Sequence, residues 1–223
     1  MSQSLYRQIA QQIEDKIKAG ELNIYDKLPS ERYMSANYGV SRNVIRESLK
    51  LLNEKGIVEI RKGQGCYITK PGKEEITERV KDAIIYNDFS LNEILDVRKS
   101  LELSSCENIV KNCTLENIQN LKKYYSAMSK SFSDSMEYAR NDFLFHLELI
   151  NCSKNRLSKL LVNAINDVSD EELYKIKRTH SSLNISQRHH KEMIKAIEKS
   201  DVQKLYEVMT KHFEALGNDI KGL

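Results

Sequence analysis

The 223-residue sequence predicts a mainly α protein built from two unlike parts, a small mixed N-terminal domain and a larger all-helical C-terminal one. Three observations carry this. Six of the eight glycines and both prolines lie within the first 72 residues, and neither residue type occurs from Lys73 to Leu216. A β-rich segment of that length needs turn residues, whereas a helical one needs only polar caps. Charge divides at the same place: of 35 basic and 32 acidic residues, the first 72 positions hold 12 and 8, leaving 23 and 24 beyond. Finally, apolar residues past the break recur every three or four positions in successive blocks. The boundary at Thr69-Lys70-Pro71-Gly72 predicts domains over residues 1–69 and 76–223, joined by a linker over 70–75.

Composition narrows the class. Hydrophobic residues make up 40% and charged residues 30%, with a mean hydropathy of −0.56, which is too polar for one thick core. No apolar run approaches the roughly 18–20 residues a membrane span needs, so no membrane partner is expected. The first residues, MSQSLYRQIAQQIEDKIKAG, carry polar and charged side chains where a signal peptide would be apolar, which points to the cytoplasm. Cys66, Cys106, Cys113 and Cys152 are scattered and form no CxxC pair, so they read as reduced, mostly packed thiols.

The N-terminal elements follow in order. Leu5, Ile9, Ile13 and Ile17 at i+4 spacing predict an amphipathic helix that Gly20 stops. Pro29 precedes Ser30, an N-cap for a short helix through Asn37. After a turn at Gly39, Ser41 caps a third helix to about Glu54, with Ile45, Leu49 and Leu52 as its buried stripe and Gly56 as its stop. Residues 57–60 and 66–68 then read as strands around Arg61-Lys62-Gly63-Gln64-Gly65, a hairpin with a glycine tip. Three helices and a hairpin, with a tight turn between helices two and three, make a winged helix-turn-helix. Arg42, Asn43 and Arg46 lie on the polar face near the start of the third helix, where a recognition helix meets base edges. Arg32 and Lys62 are candidates for phosphate contacts.

The segments LPSER (28–32), YGVSRNVIRESLKLL (38–52) and EKGIVEIRKGQGCYI (54–68) closely resemble the DNA-binding domain of the GntR family of bacterial transcriptional regulators. The resemblance implies binding to double-stranded operator DNA through Arg32, Arg42 and Arg46. It also implies help from Ser41, and a wing around Lys62 and Gly63 that reaches the minor groove. Ser48 stands where Ala is commoner and Cys66 where Thr is frequent.

In the second part, Ile76, Val80 and Ile84 open the series. Ser90 with Glu93 forms a capping-box signature for a helix containing Ile94, Val97, Leu101 and Ile109. Further helices are predicted from Thr114, from Ser133 or Asp134, from Asn155 through Val168, from Ser186, and from Asp201 to Gly217. The result is an all-α bundle of six or seven helices, a fold whose ligand sites lie between facing helices.

All five histidines (146, 180, 189, 190 and 212) fall in this part. Asp142 and His146 are one turn apart on the same helix face. His190 is in phase with Met193, Ile194 and Ile197, and His212 with Leu205, Val208, Met209 and Leu216, so both point inward. Three inward histidines and one aspartate would suit a divalent transition metal: zinc, nickel, iron or manganese. The pattern alone is equally compatible with three separately hydrogen-bonded core histidines. A metal-dependent hydrolase is the rival reading of the same residues. It lacks HExxH, and Glu148, Glu192 and Glu214 fall off the inward faces.

NDFLFHLELINCSKN (141–155) and HHKEMIKAIEKSDVQKLYEVMTKHF (189–213) resemble the FCD effector domain of FadR-like GntR regulators, as does VRKSLE (97–102). The resemblance implies a metal held by Asp142, His146, His190 and His212, a small carboxylate effector beside it, and a homodimer on a palindromic operator. Arg98 becomes a candidate anion contact, with an ion pair to Glu102 as its alternative role. Two departures stand out. Lys154 occupies the usual glycine of the turn before the fifth helix, and His189 sits where an acidic residue is common and competes with His190 as ligand. The expected protein is an effector-controlled DNA-binding regulator and not an enzyme.

Overall fold

The computed structural model describes residues 4–70, 72–175 and 178–221, so Pro71 of the predicted linker lies outside the described residues, as does the side chain of Val168. The chain divides into two compact units, residues 1–75 and 76–223.

The first unit contains α1 (Leu5–Lys18), α2 (Glu31–Tyr38), α3 (Arg42–Glu54), β1 (Val58–Arg61) and β2 (Gly65–Ile68). Local chemistry sets the boundaries. Ser30 Oγ accepts from the Tyr33 amide and Ser41 Oγ from the Val44 amide, each removing one orphan donor at a helix start. Gly39 closes α2 in the left-handed region at φ 64°, which a side chain would resist. The strands pair antiparallel, with Val58 opposite Ile68 and Arg61 opposite Gly65. A bridge from Lys27 to Tyr67 adds an edge to this hairpin that the sequence did not suggest.

The core of this unit is Ile9, Ile13, Leu28, Met34, Ile45, Leu49, Leu52, Val58 and Ile68. Each such side chain contributes about 1.5–3 kcal/mol through removal from water. Leu5, counted in the α1 stripe by its spacing, is instead half exposed, because it lies at the open first turn. Ser48, replacing the commoner alanine, is fully buried with Oγ 2.7 Å from the Val44 carbonyl and 2.9 Å from that of Tyr6, so its hydroxyl joins α3 to α1. Lys55 pairs with the buried Glu14, a second tie between the same helices.

The second unit holds eight helices among the described residues: α4 (Lys73–Ile85, its first three residues in the first unit), α5 (Leu91–Ser104), α6 (Cys106–Asn112), α7 (Leu115–Lys130), α8 (Ser135–Cys152), α9 (Arg156–Lys175), α10 (His180–Glu198) and α11 (Val202–Lys221). Ser90 and Thr114 close capping boxes on α5 and α7, and Asp134 caps α8. Ile109, Leu121, Met128, Phe145, Leu149, Met193, Leu205, Met209 and Phe213 form its core.

Three details differ from the sequence-based expectation. The helix expected from Leu91 past Ile109 breaks at Ser105, whose Oγ donates to the Leu101 carbonyl, giving α5 and α6 and one helix more than six or seven. The sixth predicted helix begins at His180 rather than at Ser186, because Thr179 accepts from the Ser182 amide while Ser186 is buried inside the helix. Gly217 does not end α11, which runs on to Lys221. There Asp219 binds Arg178 at 3.0 Å and also Ser182, fastening the last turn of α11 to the start of α10. Lys154, at the usual glycine position, adopts φ 59°.

Candidate metal centre and nucleic-acid interface

In the second unit, α8 supplies Asp142 and His146, α10 supplies His190 and α11 supplies His212. All four are buried, and their ligand atoms lie within 4.8 Å of one another. His146 Nε2 is 3.1 Å from His212 Nε2 and 3.3 Å from His190 Nε2, and His190 Nε2 is 3.2 Å from Asp142 Oδ1. Neighbouring ligands of an ion held at about 2.1 Å are roughly 3.0–3.4 Å apart, so these spacings suit a single ion. His189 is only partly buried and is absent from the cluster; its phase on α10 turns it from the point where the other rings meet.

Burial pushes His190 down to about 4, against the opposing pull of Asp142, and holds His212 well below the usual histidine range with help from His190 and His146. Both rings are therefore neutral near pH 7, the form that ligates. Burial opposes ionisation of Asp142. The close approach of His190, 3.2 Å away, and the surrounding imidazoles outweigh it and hold its carboxyl well below the ordinary range.

One carboxylate that the sequence reading did not assign to the site orders it. Glu102 on α5 is fully buried, with Oε2 2.6 Å from His146 Nδ1 and Oε1 accepting from Arg98 Nε at 2.9 Å. This places the His146 proton on Nδ1 and directs the Nε2 lone pair at the cluster, as a carboxylate does behind a ligating imidazole. Burial raises Glu102, but His146 and Arg98 outweigh it, leaving the carboxylate ionised. Arg98 thus makes the Glu102 pair that its i,i+4 spacing allowed. Its Nη2 remains buried without a hydrogen-bond partner, and its guanidinium lies 5.7 Å from the Phe213 ring centroid. Glu102→Ala would strand both the Arg98 charge and the His146 N–H in the core. The expected loss is about 3–5 kcal/mol of stability, measured by urea unfolding.

In the first unit, Arg32, Ser41, Arg42, Asn43 and Arg46 are all exposed, and so are Lys62 and Gly63 at the hairpin tip. A cleft of about 670 Å³ lies between the α2 start, α3 and the hairpin, lined by Ser30, Glu31, Arg46, Lys62 and Gly63 among others. The sequence reading missed Glu31, which lies against Arg42 and Arg46. Its Oε2 accepts from Arg46 Nε at 2.8 Å and lies 3.6 Å from Arg42 Nη2. At the wing, Arg61 stacks on Tyr67 at 4.5 Å and pairs with Glu59, which leaves Lys62 as the cation at the tip.

The model of the bacterial regulatory proteins of the gntR family matches residues 5–68, and the FCD domain model matches residues 93–215. The HTH-type transcriptional regulator LutR of Bacillus subtilis (strain 168) is 30% identical over 152 residues, covering 68% of this chain and 69% of LutR. The Uxu operon regulator of Haemophilus influenzae is 28% identical over 222 residues, covering 94% of this chain and 79% of that protein. The solved structure of Streptococcus agalactiae GntR overlays with a TM-score of 0.58 at 22% identity, covering 95% of this chain and 98% of that one, a likeness of fold. Among the described residues, no helix is long and apolar enough to cross a membrane. The matched domains and the similarity to transcriptional regulators set aside the hydrolase reading: the chain belongs to the GntR family of bacterial transcriptional regulators, as a DNA-binding protein with an FCD effector domain.

Proposed function

We propose that this regulator is a cytoplasmic homodimer that binds palindromic operator DNA with an affinity set by a small carboxylate effector. The effector would bind beside a divalent transition metal, zinc, nickel, iron or manganese, held by Asp142, His146, His190 and His212. The observation that carries this reading is the buried Asp/His cluster with an unpartnered guanidinium nitrogen of Arg98 behind it. The Arg98 charge is paired with Glu102, but a buried N–H donor left without an acceptor is costly unless a ligand oxygen meets it. When bound, the metal would supply a Lewis-acidic point for a carboxylate oxygen. Arg98 would take the other end of the anion, and Glu102 would keep both Arg98 and His146 oriented.

On DNA, Arg42, Asn43 and Arg46 would read base edges in the major groove. Arg32 and Ser41 would hold phosphate, and Lys62 with Gly63 would enter the minor groove. Two copies on one operator need a two-fold interface. A groove between α4, α5 and α9, lined by Val80, Ile84, Phe89, Val97 and Leu161, supports a second copy there, since Phe89 and Val97 are half exposed and apolar.

An effector controls DNA binding only if it prefers one arrangement of the dimer over another. Arg98 and Glu102 lie on α5, which follows α4 in the chain; α4 starts at Lys73 and so takes up the second half of the expected 70–75 linker, and a ligand on Arg98 would act through α4 on the segment leading to the winged helix. Operator affinity measured by fluorescence anisotropy against a panel of small mono- and dicarboxylates tests this. At least one is expected to change affinity by about tenfold, a 1.4 kcal/mol coupling, in the wild type but not in Arg98→Ala. An affinity indifferent to every saturating carboxylate would remove the effector reading.

A further inference from the structure

Two of the four cysteines face each other across the second unit. Cys113 caps the end of α6 and Cys152 is the last residue of α8; they are 39 positions apart in sequence, yet their Sγ atoms are 3.2 Å apart. A disulfide bond measures about 2.05 Å, so closure needs the two sulfurs to approach by roughly 1 Å. The two thiols are unlike. Cys113 is half-buried and reaches the surface, whereas Cys152 is fully enclosed in the core beside it. Cys66 and Cys106 make no comparable pair: Cys106 Sγ faces the Glu102 carbonyl and Met209, and burial pushes Cys66 up to about 11 and Cys106 up to about 12.

We propose that Cys113 and Cys152 are a hydroperoxide-reactive dithiol that closes to an intramolecular disulfide. Cys113 is the attacking thiol, because it is the accessible one. The contact with the Cys152 sulfur lowers Cys113 against the effects of burial and of Glu148, and Lys154 adds to the lowering. A lowered, accessible thiol next to a buried partner is the arrangement in which a first oxidation is resolved before it proceeds further. The Cys113 thiolate attacks one peroxide oxygen, the O–O bond breaks, and the departing oxygen leaves as water or an alcohol after taking a proton. Cys113 is then a sulfenic acid. Cys152 attacks the Cys113 sulfur, the S–O bond breaks, and the hydroxyl leaves as water with the Cys152 proton. The two electrons that reduce the peroxide come from the two sulfurs. The new bond would tie the α6–α7 corner to the last turn of α8, the helix that also carries Asp142 and His146. The chemistry itself requires neither the metal nor the effector.

The test treats reduced, full-length protein with stoichiometric hydrogen peroxide, then denatures and alkylates it. Titratable thiols are expected to fall from four to two, with a mass loss of about 2 Da and a dithiothreitol-reversible link between the Cys113 and Cys152 peptides. In Cys152→Ser the reaction should stop at a sulfenic acid on Cys113 that dimedone traps; the wild-type measurement stands alone if that variant does not fold. Four surviving thiols, a link through Cys66 or Cys106, a link between chains, or over-oxidation of Cys113 without a link would each overturn the proposal.

Discussion

Protein prepared without tags or chelators is expected to carry about one transition-metal ion per chain, and His190→Ala is expected to lose it. His190 is the ligand to remove first because its Nε2 is the atom within 3.3 Å of both His146 Nε2 and Asp142 Oδ1. Without it, two imidazoles and one carboxylate remain, a set that holds an ion less tightly and yields it to a chelator more readily. A metal that binds only the folded chain adds stability by mass action, about 4 kcal/mol at a thousandfold excess over its dissociation constant. Metal removal should therefore lower the melting temperature of the wild type and leave that of His190→Ala unchanged. Elemental analysis and a thermal scan with and without chelator measure both. A wild type that binds no metal, or a variant that binds as much as the wild type, would reduce the cluster to three packed histidines and an aspartate. The DNA-binding domain would be untouched by that result.

Arg42→Ala and Arg46→Ala should each weaken specific operator binding by about 1–3 kcal/mol if they read bases, with little change in binding to unrelated DNA. The basis is their place on the exposed first turns of α3, where a recognition helix meets base edges. Glu31 gives this prediction a second arm. In the DNA-free protein it holds Arg46 at 2.8 Å and approaches Arg42, so the guanidinium groups are pre-aligned but partly neutralised. Glu31→Gln should remove that charge and strengthen binding to non-specific DNA more than binding to operator. Binding should also fall steeply with added salt as phosphate contacts release counterions. Footprints of both arginine variants that match the wild type would mean that α3 is not the reading helix.

Much of this molecule is legible in its sequence because the signals are local. Ser30, Ser41, Ser90 and Thr114 cap the helices they were expected to cap, and of Ser133 and Asp134 it is Asp134 that does so, since a cap is decided by residues three positions away. The stripes Ile45, Leu49, Leu52 and His190, Met193, Ile194, Ile197 bury as their spacing indicates, because each helix has one apolar face to hide. Residues without a local signature were not legible. The break at Ser105 has no glycine or proline to mark it, and Gly217, which looks like a stop, sits within a helix whose last turn is held by distant Arg178 and Ser182.

The two-part division, the winged helix and the inward phase of Asp142, His146, His190 and His212 can be read along the chain. All of these follow from composition and from periodicity within single helices. Packing between helices brings the four residues to one point, sets Glu102 behind His146, lays Glu31 on Arg42 and Arg46 and puts Cys113 beside Cys152. Each of these contacts joins side chains from different helices. Their distances are set by how the helices pack, which the spacing along any one helix does not encode.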